Sequence, residues 1–163
     1  MMNFNLKIYM FLLGVFINLN SAYCDIIKDL RVKSSSGDYN FFKKANAIDG
    51  KISNESRWIA TKGDSDNIWL EIELLKETSV KAIALYSGFG ENDAVQDFHI
   101  QFKNESGDWE PIESSLVSGN TSVSRLVSFK NSVQAKSFKL VINKTKDDLA
   151  RVKELILYTC AST

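Results

Sequence analysis

The chain has 163 residues, 20 basic and 20 acidic side chains and a formal net charge of zero, which suits one domain with a self-sufficient core. No Lys/Arg cluster stands out, so the electrostatic footprint of a nucleic-acid binder is absent, as is a polybasic run for anionic lipid. With one histidine, His99, and two cysteines at its ends, the chain cannot assemble a zinc site or a histidine-based catalytic constellation within itself. A pair of glycosidase carboxylates would sit in a cleft, whereas the acidic residues cluster in turns, so the sequence reads as non-enzymatic.

The N-terminus reads as a secretory signal over residues 1–22. Lys7 supplies the positive region, and residues 8–17 form an almost unbroken apolar run of ten. As a helix, ten residues span about 15 Å, half a hydrocarbon core, so the segment does not read as a membrane anchor. Cleavage after Ala22 keeps Cys24 in the mature chain; cleavage after Cys24, which the small residues Ala22 and Cys24 also allow, removes it and leaves Cys160 unpaired. Both readings stay open. The mature domain is expected over 25–160, soluble and exported.

Period-2 alternation dominates the middle of the chain, and no long 3.6-period segment competes with it. Ile68, Leu70, Ile72 and Leu74 share one face, opposite Trp69, Glu71 and Glu73. Val80, Ala82, Ala84 and Tyr86 alternate with Lys81, Ile83 and Leu85, a pattern apolar on both faces, as at the centre of a covered sheet. Phe98, Ile100 and Phe102 alternate with His99, Gln101 and Lys103. Further strands are predicted at 109–112, 123–129, 137–142 and 152–158, separated by turn clusters at 88–93, 104–108 and 118–120. Seven or eight short strands with polar turns predict an all-β sandwich, with no internal repeat and no linker. Trp58, Trp69 and Trp109 read as packing residues rather than ligand platforms.

Several segments, taken in order, carry a resemblance. They are Asn46-Ala47-Ile48-Asp49-Gly50, Ser56-Arg57-Trp58, Trp69-Leu70-Glu71-Ile72-Glu73-Leu74, Val80-Lys81-Ala82-Ile83-Ala84-Leu85-Tyr86, Asp97-Phe98-His99-Ile100-Gln101-Phe102, Gly107-Asp108-Trp109 and Arg151-Val152-Lys153-Glu154-Leu155. Together the chain resembles the factor V/VIII type C (discoidin) domains and the related family-32 carbohydrate-binding modules. The resemblance implies a discoidin-like jelly-roll β-sandwich of about eight antiparallel strands. It also implies a bridge between Cys24 and Cys160, joining the terminal strands in an oxidising compartment.

The resemblance further implies a structural calcium ion, which takes six to eight oxygen ligands. The Asp49 carboxylate, carbonyls near Asn46 and Lys51, the hydroxyl or carbonyl of Ser56, the Lys153 carbonyl and the Glu154 carboxylate would supply them. Without a cation, Asp49 would simply cap its Asp-Gly turn and Glu154 would pair with Arg57 or Arg151.

Ligand binding in such folds falls on loops at one end of the sandwich. A sugar needs an aromatic platform and a few polar partners. Tyr39 or Phe89 would be the platform, with Phe42 nearby, and Asn92, Asp93 and Asp147 would be polar contacts. The competing reading folds Phe41, Phe42 and Phe89 inward under the loops. The implied function is glycan or polysaccharide binding outside the cell, lectin-like and non-catalytic. Two alternatives are phospholipid-membrane binding through the aromatic and basic stretch 39–44, and protein-mediated cell adhesion.

Overall fold

Ile68, Leu70, Ile72 and Leu74 are each at most 1% exposed, so the alternation that predicts a strand here also faces the core. A computed structural model describes residues 23–61, 67–90 and 92–161; the segment read as an export signal lies outside them. It contains eight strands in one curled antiparallel sheet: β1 (Cys24–Ile26), β2 (Leu30–Ser35), β3 (Trp58–Thr61), β4 (Ile68–Ser87), β5 (Asp97–Lys103), β6 (Trp109–Pro111), β7 (Ser124–Lys144) and β8 (Leu149–Cys160). Short 3-10 turns occupy Lys44–Ile48 and Glu113–Ser115.

Two long strands give the sheet its two layers. The first half of β4 pairs with β2 and with the second half of β7, which in turn pairs with β5, and β5 with β6. The second half of β4 pairs with the first half of β7 and with β8, which carries β1 and β3. The β4–β7 register breaks between Glu73 and Thr78 and again between Val80 and Ala82. At such irregularities a ladder bends and its strands change layer.

The sequence reading takes each of these strands as two. The stretches 75–79 and 130–136 are gaps between the predicted strands, yet the chain runs through them as bent strand. Val80 also changes sides. It packs in the main core with Ile83 and Leu85, whereas Ala82 and Ala84 pack on the outer face with Tyr158. The strand irregularity breaks the parity that simple alternation assigns. Between the layers lie Trp58, Phe98, Phe129, Phe138 and Leu140. Each such aliphatic or phenyl side chain, fully buried, contributes about 1.5–3 kcal/mol before entropy.

Cys24 stands opposite Cys160 in the β1–β8 register, and the two form a disulfide across 136 residues. A chain cut after Cys24 would lose this bridge. β1 is only three residues long, and the bridge adds a covalent tie to its backbone pairing with β8. The Cys24→Ser/Cys160→Ser double variant is expected to lose about 2–5 kcal/mol in guanidinium unfolding while keeping its far-UV spectrum. An unchanged midpoint would show that strand pairing alone holds the ends together.

Candidate functional site

The start of β8, the end of β4 and the short β3 lie side by side, so the segments leaving them meet at one end of the sandwich. Ser87 pairs with Val152, Trp58 pairs with Val152, and the Gly88 N–H donates to the Arg151 carbonyl at 2.8 Å. The meeting segments are 36–57, 88–93 and 144–149.

Gly88 sets the middle segment. Its φ is +89°, and a Cβ there would stand 2.1 Å from the Asn92 carbonyl oxygen. Only glycine tolerates both, which lets Phe89 and Asn92 exchange main-chain hydrogen bonds of 2.9 and 3.1 Å. Asp93 takes a left-handed conformation, φ +59°, and its carboxylate meets the Lys146 ammonium at 3.1 Å. The Asn54 side chain accepts from the Gly90 N–H at 3.0 Å and ties the first segment to the second.

Aromatic rings collect around one guanidinium. The Arg57 Cζ lies 4.5 Å from the Phe42 ring centroid and 5.1 Å from that of Phe89. Arg57 is 9% exposed, and its Nε is sealed from solvent with no hydrogen-bond partner. Burial, and next the positive charge of Arg151, lower its pKa. Phe89 is half exposed, Tyr39 nearly so, and Phe41 is 91% exposed. Phe42 is half-buried against Arg57. The inward reading of these rings therefore fails for Phe41 and describes only part of Phe42.

Polar residues rim the rings. Asp147 grips Arg151 through two hydrogen bonds of 2.7 and 2.6 Å, which hold the Asp147 carboxyl below its ordinary pKa and raise that of Arg151. The Lys153 ammonium donates to the Gly90 carbonyl at 3.0 Å; burial, then Arg57, lower its pKa. Asn92 is exposed beside Phe89. The structure thus gathers Phe42, Phe89, Asn92, Asp93 and Asp147 at one end. Tyr39 joins them through its main chain, which donates to the Ile59 carbonyl and accepts from the Phe42 N–H. The sequence reading misses the side chains of Arg57, Arg151 and Lys153. Their only signal is three cations beside apolar strand ends.

A second cluster lies where the 46–56 loop meets β8. Glu154 is 5% exposed, and the Gly50 N–H donates to both of its oxygens at 3.2 Å. Among the described residues no cationic side chain pairs with it; of the two expected partners, Arg151 serves Asp147 and Arg57 packs against Phe42 and Phe89. Burial, then the nearby Asp49 carboxylate, push the Glu154 pKa up to about 7, and the Gly50 N–H offsets only part of this. The Ser56 hydroxyl bonds to the Asp49 carboxylate, which also accepts the Lys51 N–H at 2.9 Å. The Asn46 amide donates to the Arg57 carbonyl at 3.2 Å and fixes the loop's base.

No group of three His, Cys, Asp or Glu side chains forms a metal cluster among the described residues. Two carboxylates and a hydroxyl nevertheless make an all-oxygen set, and a buried carboxylate without a countercharge fits a hard cation completed by main-chain carbonyls.

The rest of the surface offers less. His99 bonds to Asn143 and Gln101 at 3.1 and 3.3 Å, with no nucleophile in contact. Trp58 is fully buried, donating to the Gly37 carbonyl, while Trp69 and Trp109 are half-buried around Lys139. Two surface grooves, lined by Ile112, Lys130 and Val133 and by His99 and Leu116, include no loop-end residue.

Known proteins share this architecture. The family-32 carbohydrate-binding module of Clostridium perfringens NanJ, in complex with galactose, superposes with a TM-score of 0.71 at 20% identity, covering 84% of this chain and all of that one. A Clostridium perfringens module in complex with GalNAc-β-1,3-galactose gives 0.68 at 15% identity over 82% of this chain and 99% of its own. The family-32 module of Streptococcus pneumoniae EndoD gives 0.66 at 18% identity over 82% and 98%. No curated protein sequence matches the chain. The F5/8 type C domain family matches residues 31–155, and the chain belongs to that family.

Proposed function

We propose that the chain is an exported, non-catalytic carbohydrate-binding module that takes glycan on its loop end. The observation that carries this reading is the exposed ring of Phe89, fixed by the Gly88 turn and rimmed by Asn92, Asp93 and Asp147. A pyranose packs its apolar face on such a ring while hydroxyls bond to carboxylates and amides. The site is an open platform, so single-site affinity is weak. The solved relatives that bind galactose and GalNAc-β-1,3-galactose support the ligand class. The signal-like N-terminus and the Cys24–Cys160 bridge support export.

Calcium is the proposed structural ion. Asp49, Ser56 and Glu154 would hold it through side-chain oxygens, with main-chain carbonyls near Asn46, Lys51 and Lys153. Bound there, it would supply the positive charge that the buried Glu154 lacks and tie the 46–56 loop to β8.

A second reading rests on Phe41, 91% exposed beside Lys43 and Lys44, an arrangement suited to insertion into a membrane surface. Sedimentation with phosphatidylserine vesicles separates the two. Binding that Phe41→Asp abolishes would favour the membrane.

On a glycan array, binding competed by free sugar is expected, and Phe89→Ala should weaken it about tenfold or more. Gly88→Ala should weaken it as well, since it displaces the turn, at a stability cost of about 1–3 kcal/mol. A blank array with folded protein would defeat the carbohydrate reading.

Calcium at about 100 times its dissociation constant should add about 2.7 kcal/mol of stability. Glu154→Gln should remove that increment while leaving the protein folded in chelator. Identical melting temperatures with calcium and with chelator would dispose of the ion.

A further inference from the structure

We propose that the loop end is built for an acidic sugar, a pyranose bearing a carboxylate, with Arg57 as the group that receives the acid. The inference rests on the carbohydrate reading and deepens it. A guanidinium that is nine-tenths buried is ordinarily answered by a carboxylate or by several hydrogen bonds, because desolvating the charge is expensive. Arg57 has neither among the described residues. Its Nε is buried without a partner, and no acidic side chain of a described residue lies within ion-pair distance.

The described acids nearby are otherwise engaged or too distant to pair. Asp147 is committed to Arg151 and Asp93 to Lys146, while Glu55 acts on Arg57 only through its field. Arg151 and Lys153 add positive potential, and Lys153 spends a hydrogen bond on the Gly90 carbonyl.

The geometry points outward. Only Nε of the guanidinium is both sealed and unpartnered; the terminal nitrogens reach solvent. The π faces of Phe42 and Phe89 lie against the cation, which favours it without neutralising it. The cation covers one face of Phe89, so a sugar would stack on the other, and a carboxylate on that sugar would have to pass the ring edge to meet the terminal nitrogens. The planar guanidinium matches a carboxylate in a fork of two hydrogen bonds. A neutral sugar offers those nitrogens hydroxyl acceptors but no countercharge. Because the whole chain carries no net charge, general attraction to a polyanion does not supply the same preference.

Affinity electrophoresis and calorimetry of the full exported protein against polygalacturonate, its methyl ester and carboxyl-reduced galactan test the idea. The free acid should bind about tenfold tighter or more than either uncharged polymer, with the difference shrinking as salt rises. Arg57→Gln should bring the affinity for the free acid down to that for the ester and the reduced polymer. Should Arg57→Gln fail to fold, the three-polymer comparison on the unmodified protein decides alone. Equal binding to acid and ester overturns the inference, as does a preference that survives in folded Arg57→Gln. Binding to none of the polymers while a glycan array stays positive for neutral sugars overturns the inference and leaves the carbohydrate reading standing. Silence on both array and polymers overturns the two together.

Discussion

β4 and β7 each belong to both layers, and the pairing between them is the constraint from which the rest follows. Their ladder spans Ile68 with Ile142 at one end and Tyr86 with Ser124 at the other, with breaks in register between. Straight, the two strands would form a flat ribbon with one apolar face on each side. Bent, they bring Leu70 and Leu140 of one layer and Leu85 and Val127 of the other into a common core. Every other strand is an addition to this pair. β8 completes the second layer beside β4 and carries both β1 and β3.

The loop end inherits its order from that arrangement. At the start of β8, Lys153 reaches the Gly90 carbonyl in the 88–93 turn while Glu154 receives the Gly50 N–H of the 46–56 loop. Consecutive residues of one strand thus stitch two different loops to the sheet, as side chains on alternate sides must. The two stitches are electrostatically opposite. Lys153 stands near Arg57, whose charge disfavours its own; Glu154 stands near Asp49, with the same effect in the other sign. With Arg57, Lys153 and Glu154 buried and Asp49 exposed, such like-charge neighbours cost stability.

Much of the architecture was legible because the signals were local. The alternation over 68–74 and 98–102 names the buried residues directly, and the Gly88–Asp93 cluster marks a turn that the backbone requires. The signals failed where tertiary pairing overrides local composition. Thr78 and Ser79 fall in the gap between two predicted strands, but pairing with Ala135 and Gln134 of β7 keeps them in strand. β3 is four residues between polar segments and exists because β8 offers an edge at 149–152. Phe89 and Asn92 were visible as a surface turn, whereas Arg57 was not visible as a buried cation. An arginine beside a tryptophan has no sequence mark that it will be covered by rings from positions 42 and 89. That contact joins segments far apart in the chain.

The disulfide has a geometric consequence of its own. Because Cys24 and Cys160 face each other, the described chain enters and leaves the fold at one corner. That corner lies at the far end of β8 from Lys153, roughly 23 Å along the strand. A tether attached at either terminus therefore pulls on the same point, opposite the rings and the loops. The bridge carries that load directly between the first and last strands. A molecule anchored there would hold its loop face outward whichever end the anchor used.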